Sequence, residues 1–251
     1  MELVDRGSGP PVVLLHGAPS PPGDFQRLAD DLAADHRVLI PSLPGYGASP
    51  PLAPYSFDAV EHLLVDALRE RGVTRAALVG MSGGAYRALR MATHGFGATA
   101  IVCLGGTAWT APEEAPILRG FSDLARSLPD FKDPAIREMF ANRMLSPPWR
   151  AAHPETVATV AAWLDATTPA VLADELAAFA ALDDLRPALA HLDVVVTVRT
   201  GSLDVATPPA MAESIATACP HARLQIVPGC GHALLVEDEA ASIAAIRAAV
   251  A

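Results

Sequence analysis

Two hydrophobic rhythms alternate along the chain. Short unbroken apolar runs, "PVVLLH" (11–16), "RVLIPS" (37–42), "RAALVG" (75–80) and "ATAIVCLGG" (98–106), read as buried strands. Between them, "GDFQRLADDLAAD" (23–35), "FDAVEHLLVDALRERG" (57–72) and "GGAYRALRMATH" (83–94) space apolar residues as amphipathic helices do. Gly72 supplies a C-terminal stop for the second helix, and "PGYGASPP" (44–51) is a turn-rich loop. Strands alternating with helices predict a mostly parallel sheet, doubly wound, with helices on both faces.

From residue 107 to about 188 the rhythm changes and no strand pattern occurs. "PILRGFSDLARSL", "DPAIREMFANRML" and "PETVATVAAWLDATTPAVLADELAAFAALDD" predict three or four inserted helices. The sheet pattern then resumes with "LDVVVTVRTG" (192–201), the helix "PAMAESIATA" (209–218), the strand "ARLQIV" (222–227) and a last helix over 238–250. The expected organisation is a core of residues 1–106 and 189–251 with a helical cap over 107–188.

Composition narrows the partners. Half of the 251 residues are hydrophobic, 51%, enough for a sizeable core. The net charge of -10 and the lack of any Lys/Arg-rich run argue against a nucleic acid or an anionic membrane surface. No uncharged apolar run approaches the ~18 residues of a membrane span. The opening "MELVDRGSGPPVVLLHG" is acidic early and broken by His16 and Gly17, unlike a signal peptide. Cys103, Cys219 and Cys230 are odd in number and lack metal-type spacing, so a cytoplasmic setting is expected, with no disulfide framework. The expected partner is a small molecule, with no metal or cofactor. Oligomeric state is not encoded in any pattern found.

The candidate chemistry starts at "VGMSGGAY" (79–86). Gly-x-Ser-x-Gly is short and common, but here it falls where a predicted strand meets a predicted helix. A serine on so sharp a turn needs neighbours two residues away that lack side chains, and Gly80 and Gly84 meet that need. The alternative is Ser82 as a helix N-cap. A serine hydroxyl needs a base, itself oriented by a carboxylate, to act as a nucleophile. Of eight histidines, His232 in "VPGCGHALLVE" (227–237) follows the last strand directly. Asp204, in "RTGSLDVATPP" (199–209), follows the strand before it, although alone it would read as a turn or cap residue. Ser82, Asp204 and His232 thus each follow the C-terminal end of a predicted parallel strand, the edge where open parallel sheets bind ligands. In "LLHGAPS" (14–20), the Ala18 amide would pair with that of Gly83 as an oxyanion hole. His16 ends a strand too, but its "HGAP" setting suggests another task.

Taken together, "LLHGAP", "PSLPGYGASP", "GMSGGAY", "GSLDVATP" and "GCGHALLVE" resemble the α/β-hydrolase family, over residues 8–106 and 190–250. The resemblance implies the α/β-hydrolase fold, a parallel sheet with a helical cap, and a cofactor-free serine hydrolase. Two departures stand out. Only "MELVDRG" precedes the first "HG" strand, so the sheet edge is expected to be shortened, and Ser42 occupies a position where the family commonly has aspartate.

The inserted region holds Trp109, Phe121, Phe140, Met144, Trp149 and Trp163, residues that pack a core or line a pocket. Trp109, close after a strand, and Met81, beside the serine, are the expected pocket walls. The arginines Arg119, Arg126, Arg137, Arg143 and Arg150 suit either a substrate carboxylate or a solvated helix face. The expected reaction is cleavage of an ester or lactone of a small, fairly apolar molecule through an acyl-enzyme on Ser82. Carbon–carbon bond hydrolysis and acyl transfer use the same constellation. A ligand-binding or signalling protein of this fold with little turnover is the rival from another class.

Overall fold

The computed structural model describes residues 1–251 and contains one seven-stranded sheet. Its strands are β1 (Leu3–Gly7), β2 (Pro11–Leu15), β3 (Arg37–Pro41), β4 (Arg75–Met81), β5 (Gly97–Leu104), β6 (Val196–Gly201) and β7 (Ala222–Val227). The order is β1-β3-β2-β4-β5-β6-β7, parallel except for β1, which runs antiparallel to β3.

The strand β1 was not expected from the pattern. "LVDRG" is an edge strand whose residues are half-buried or exposed, so it carries no apolar run. Register and charge hold it: Leu3 pairs with Pro41 and Gly7 with Arg37, and the Arg37 guanidinium forks onto Asp5 at 2.9 and 2.7 Å. The pattern thus misses one antiparallel edge strand, the single strand that precedes β2 in the chain.

The alternation of side chains along the strands divides the core in two. Val13, Leu15, Leu39, Leu78, Ile101 and Cys103 face α2 (Phe57–Arg69), α3 (Gly83–Thr93) and α10 (Pro209–Ala218). Val12, Leu14, Val38, Ile40, Val79 and Leu104 face the opposite side, covered by α1 (Gln26–Leu32) and α12 (Glu239–Val250). Helices on both faces are the doubly wound arrangement.

Between β5 and β6 lie more helices than the pattern predicted: α4 (Glu114–Ser127), α5 (Pro134–Met144), α6 (Pro147–Ala152), α7 (Pro154–Ala161), a 3₁₀ turn (Ala162–Ala166), α8 (Pro169–Phe179) and α9 (Arg186–Leu189). Prolines open α5, α6, α7 and α8, breaking what reads as continuous helix into short pieces. Asp133, Ser146 and Thr168 cap three of them through their side chains. A small core of Ala125, Phe131, Leu164, Leu172 and Ala173 knits the insertion together. It is tied to the sheet by a buried ion pair, Arg87 of α3 with Glu175 of α8, which Tyr46 joins by donating to Glu175 at 2.8 Å. No single helix is long and apolar enough to cross a membrane. After β7 the short α11 (Leu234–Glu237) leads into α12.

Candidate active site

Ser82 sits between the end of β4 and the start of α3 with φ 54° and ψ -120°, the one non-glycine residue of the chain at positive φ. Such a conformation is costly for an L-residue and persists only where its surroundings enforce it. The enforcement is visible at the flanking glycines. A Cβ on Gly80 would fall 2.2 Å from the Gly84 carbonyl oxygen, and one on Gly84 would fall 1.9 Å from that of Leu15. The motif is thus a steric requirement of the turn. Ser82 makes no side-chain capping bond to α3, so the N-cap reading does not describe it.

The turns after β6 and β7 bring Asp204 and His232 together. The imidazole Nδ1 lies 2.8 Å from Asp204 Oδ2, and both residues are 3% exposed. Asp204 is held from its other side: Oδ1 accepts the amides of Ala206 and Thr207 at 2.8 Å each, and Oδ2 accepts the Thr207 hydroxyl at 2.9 Å. Burial pushes the Asp204 carboxyl up, but the charge and hydrogen bond of His232 and the Thr207 bonds outweigh it and hold it below the usual aspartate range. With Nδ1–H committed to the carboxylate, Nε2 is the nitrogen left to accept a proton. The amides of His232 and Ala233 both donate to the Met144 carbonyl at 3.0 Å, so α5 fixes the histidine turn.

Ser82 and His232 line one cavity of about 110 Å³. In this conformation the hydroxyl and the imidazole face it without a hydrogen bond between them. Ala18 and Gly83 line the same cavity. The Ala18 amide donates to no backbone carbonyl, and the Gly83 amide, first in α3, has no partner within the helix. A Cβ on Gly17 would lie 2.8 Å from Ser82 Cβ and 3.5 Å from the Gly83 nitrogen, which shows how closely the 17–20 loop follows the elbow.

That loop is braced by His16. Its Nε2 accepts the Leu43 amide at 3.0 Å, so Nδ1 carries the proton and donates to the Gly17 carbonyl at 2.9 Å. Full burial pushes its pKa down to about 4, and it stays neutral. The neighbouring loop, where Ser42 replaces the expected aspartate, is held by Glu2 instead. One oxygen of Glu2 accepts the Ser42 hydroxyl at 2.9 Å and the Ala48 amide at 2.7 Å.

Of the two expected pocket walls, Trp109 lines the cavity, its ring 3.7 Å beneath the Arg186 guanidinium. Met81 does not. It is 3% exposed in the core on the α1 and α12 face, because the pleat sends Val79 and Met81 to that side together. Walls that the sequence did not single out are Thr107, Leu118, Leu176, Phe179 and Met211. Beyond Leu118, Met144 and Leu176 the cavity adjoins a second chamber of about 120 Å³, lined almost wholly by apolar side chains that include Phe121, Phe131 and Phe140.

A strained serine at a strand–helix turn, a buried Asp–His pair after the next two strands and a helical insertion above them define an α/β-hydrolase architecture. Residues 12–246 match the alpha/beta hydrolase family, and the chain belongs to it. Among its relatives is a pimeloyl-[acyl-carrier protein] methyl ester esterase from Nitrosomonas europaea, 29% identical over 93% of this chain and 92% of that one. Another protein of that name, from Aromatoleum aromaticum, is 32% identical over 89% and 91%. In fold, a thermophilic esterase from Thermogutta terrifontis aligns with a TM-score of 0.88 over 98% of this chain and 91% of that one, at 24% identity.

Proposed function

We propose that the protein is a serine hydrolase that cleaves a carboxylic ester, open-chain or cyclic, through an acyl-enzyme on Ser82. The observation that carries this reading is the Asp204–His232 pair, its free imidazole nitrogen facing the cavity into which the elbow presents Ser82. In the first step Ser82 Oγ bonds to the substrate carbonyl carbon while His232 Nε2 takes the hydroxyl proton. The ester C–O bond then breaks, and the same proton passes to the departing alkoxide. Water, deprotonated by His232, attacks the acyl-enzyme and releases the carboxylic acid and free Ser82. Asp204 fixes the imidazole tautomer and stabilises the imidazolium.

The Ala18 and Gly83 amides receive the negative charge on the carbonyl oxygen at each tetrahedral stage, one such donor contributing ~2.7–4 kcal/mol. The start of α3 adds its dipole to the same point. In this reading residues 107–188 act as a cap whose underside shapes the pocket. The apolar walls fit a small, largely hydrophobic substrate, and the esterase names of the relatives support an ester over other acyl compounds.

The test is steady-state hydrolysis of short p-nitrophenyl esters by the wild type and Ser82→Ala, beside covalent labelling by an organophosphonate. Loss of both turnover and labelling in Ser82→Ala is the expected result. Equal rates in the two proteins would overturn the proposal.

A further inference from the structure

The arginines of the inserted helices do not share one fate. Arg126 pairs with Asp174, Arg137 with Asp165 and the Phe131 carbonyl, and Arg150 with Asn142, while Arg119 is exposed on α4. Arg143, at the end of α5, is half-buried and lines both the catalytic cavity and the apolar chamber. No carboxylate or carbonyl accepts its N–H groups. Its guanidinium stands 5.0 Å over the Phe121 ring. Burial pushes its pKa down against the pull of Glu114 and Asp204, neither of which reaches it as an ion pair. Its five donors, always charged, thus open onto the cavity without an anion to answer them.

The position of Arg143 along the cavity says which part of a substrate would meet it. In the reaction above His232 hands a proton to the leaving group, so the alcohol part belongs beside its neighbours Ala206, Thr207 and Met211. The acyl part extends the other way, past Ala18, Leu118, Met144 and Leu176, the residues common to cavity and chamber. Arg143 is the single charged residue on that shared wall. Glu114, the other charged cavity residue of the insertion, does not line the chamber.

Building on the serine-esterase reading, we infer that Arg143 is a specificity-determining residue that holds a carboxylate on the acyl part of the substrate. The preferred substrates are then half-esters of dicarboxylic acids, with the free acid forked onto the guanidinium and the alkyl body against the apolar walls. A planar guanidinium matches a carboxylate in two parallel hydrogen bonds, which an ammonium cannot reproduce. Hydrolysis of such a substrate consumes one water and releases an alcohol and a diacid.

The experiment compares kcat/KM for p-nitrophenyl half-esters of succinic, glutaric and adipic acids with p-nitrophenyl butyrate, valerate and hexanoate, after subtracting spontaneous hydrolysis. The proteins are the wild type, Arg143→Met and Arg143→Lys, each shown folded by its thermal transition. The wild type should favour at least one half-ester over its neutral counterpart. Arg143→Met should erase that preference by about 10- to 100-fold, the range for charge-assisted bonds, mainly through KM. Neutral esters, whose acyl chain passes the same wall, should lose less than the half-esters do, so the ratio of kcat/KM between the two series is the readout. Arg143→Lys should recover part of the loss. Preference for the neutral ester at every chain length, or an equal loss on both series in Arg143→Met, would overturn the inference. Neutral-ester turnover that requires Ser82 alongside either result leaves the esterase reading intact, and turnover that survives Ser82→Ala defeats that reading instead.

Discussion

Glu175 and Arg87 form an ion pair 0% and 2% exposed, joining the inserted helix α8 to α3 behind the serine elbow. Tyr46 and Tyr55 donate to the same carboxylate, and the guanidinium lies over the rings of Phe57 and Phe179 at 5.1 and 5.5 Å. Removing one partner leaves the other charge buried and unanswered. Glu175→Ala should therefore lower the unfolding free energy by about 3–5 kcal/mol, read by urea denaturation. Because α8 also carries Leu176 and Phe179 of the cavity wall, kcat/KM should fall in the fraction that remains folded. An unchanged urea midpoint would mean that the pair does not fasten the insertion.

Gly17→Val should act on catalysis through crowding. The new side chain would start 2.8 Å from Ser82 Cβ and 2.9 Å from the Met81 carbonyl oxygen, so the loop that presents the Ala18 amide must move. The expected loss in kcat is about 100- to 1,000-fold, the effect of one missing oxyanion donor. Ala18→Gly, which keeps the amide, should stay within about tenfold, as suits a group that acts through its backbone. Measured on one ester, the two variants should separate clearly.

Thr207→Val tests the bracing of the Asp–His pair. The hydroxyl donates to Asp204 Oδ2 and lies 3.2 Å from His232 Nδ1, while the two amide bonds to Oδ1 survive the substitution. The loss of about one hydrogen bond predicts roughly a tenfold fall in kcat/KM, with Thr207→Ser restoring it. Because a base must be unprotonated to work, kcat/KM of the wild type should also fall on acidification, while Asp204, held low, stays charged.

Stability should show two opposing titrations. The folded state holds His16 at about 4 against an ordinary 6.5, so between those values the unfolded chain binds the extra proton and stability rises with pH. At about 1.4 kcal/mol per pKa unit this term reaches about 3 kcal/mol. His16→Asn, neutral throughout, should flatten that acid limb in urea titrations run from pH 4 to 7.

Asp24 works in the opposite sense. Burial pushes its carboxyl up to about 7, with Trp163 opposing, and Oδ2 lacks a partner. The folded chain then binds the extra proton between 3.8 and about 7, and stability falls as pH rises through that window. Asp24→Asn should raise Tm at pH 8 and leave it nearly unchanged at pH 4. A gain of equal size at both values would point to packing rather than to charge.

The parts of this molecule that the sequence reveals are those where chemistry dictates residue type. Gly80 and Gly84 are legible because any side chain there strikes a carbonyl oxygen, and Asp204 and His232 because each follows a strand with its own apolar signature. The strand β1 is hidden, since an edge strand needs no apolar run. Met81 is misplaced by proximity: adjacency to Ser82 in sequence says nothing of the pleat, which turns its side chain into the core. Glu2 could not be foreseen as the anchor for the loop after Ser42, because 40 residues separate the partners. The cavity walls supplied by α4, α5 and α8 depend on how short, proline-opened helices fold back over the sheet, and no local pattern encodes that.

The positive φ of Ser82 carries a consequence for any attempt to make this protein sturdier. Glycine would relax that one peptide link and delete the hydroxyl in a single substitution, so Ser82→Gly is expected to melt higher than the form it silences. Screens that reward heat resistance alone would drift toward inert descendants, because at this position robustness and reactivity pull the same atom in opposite directions.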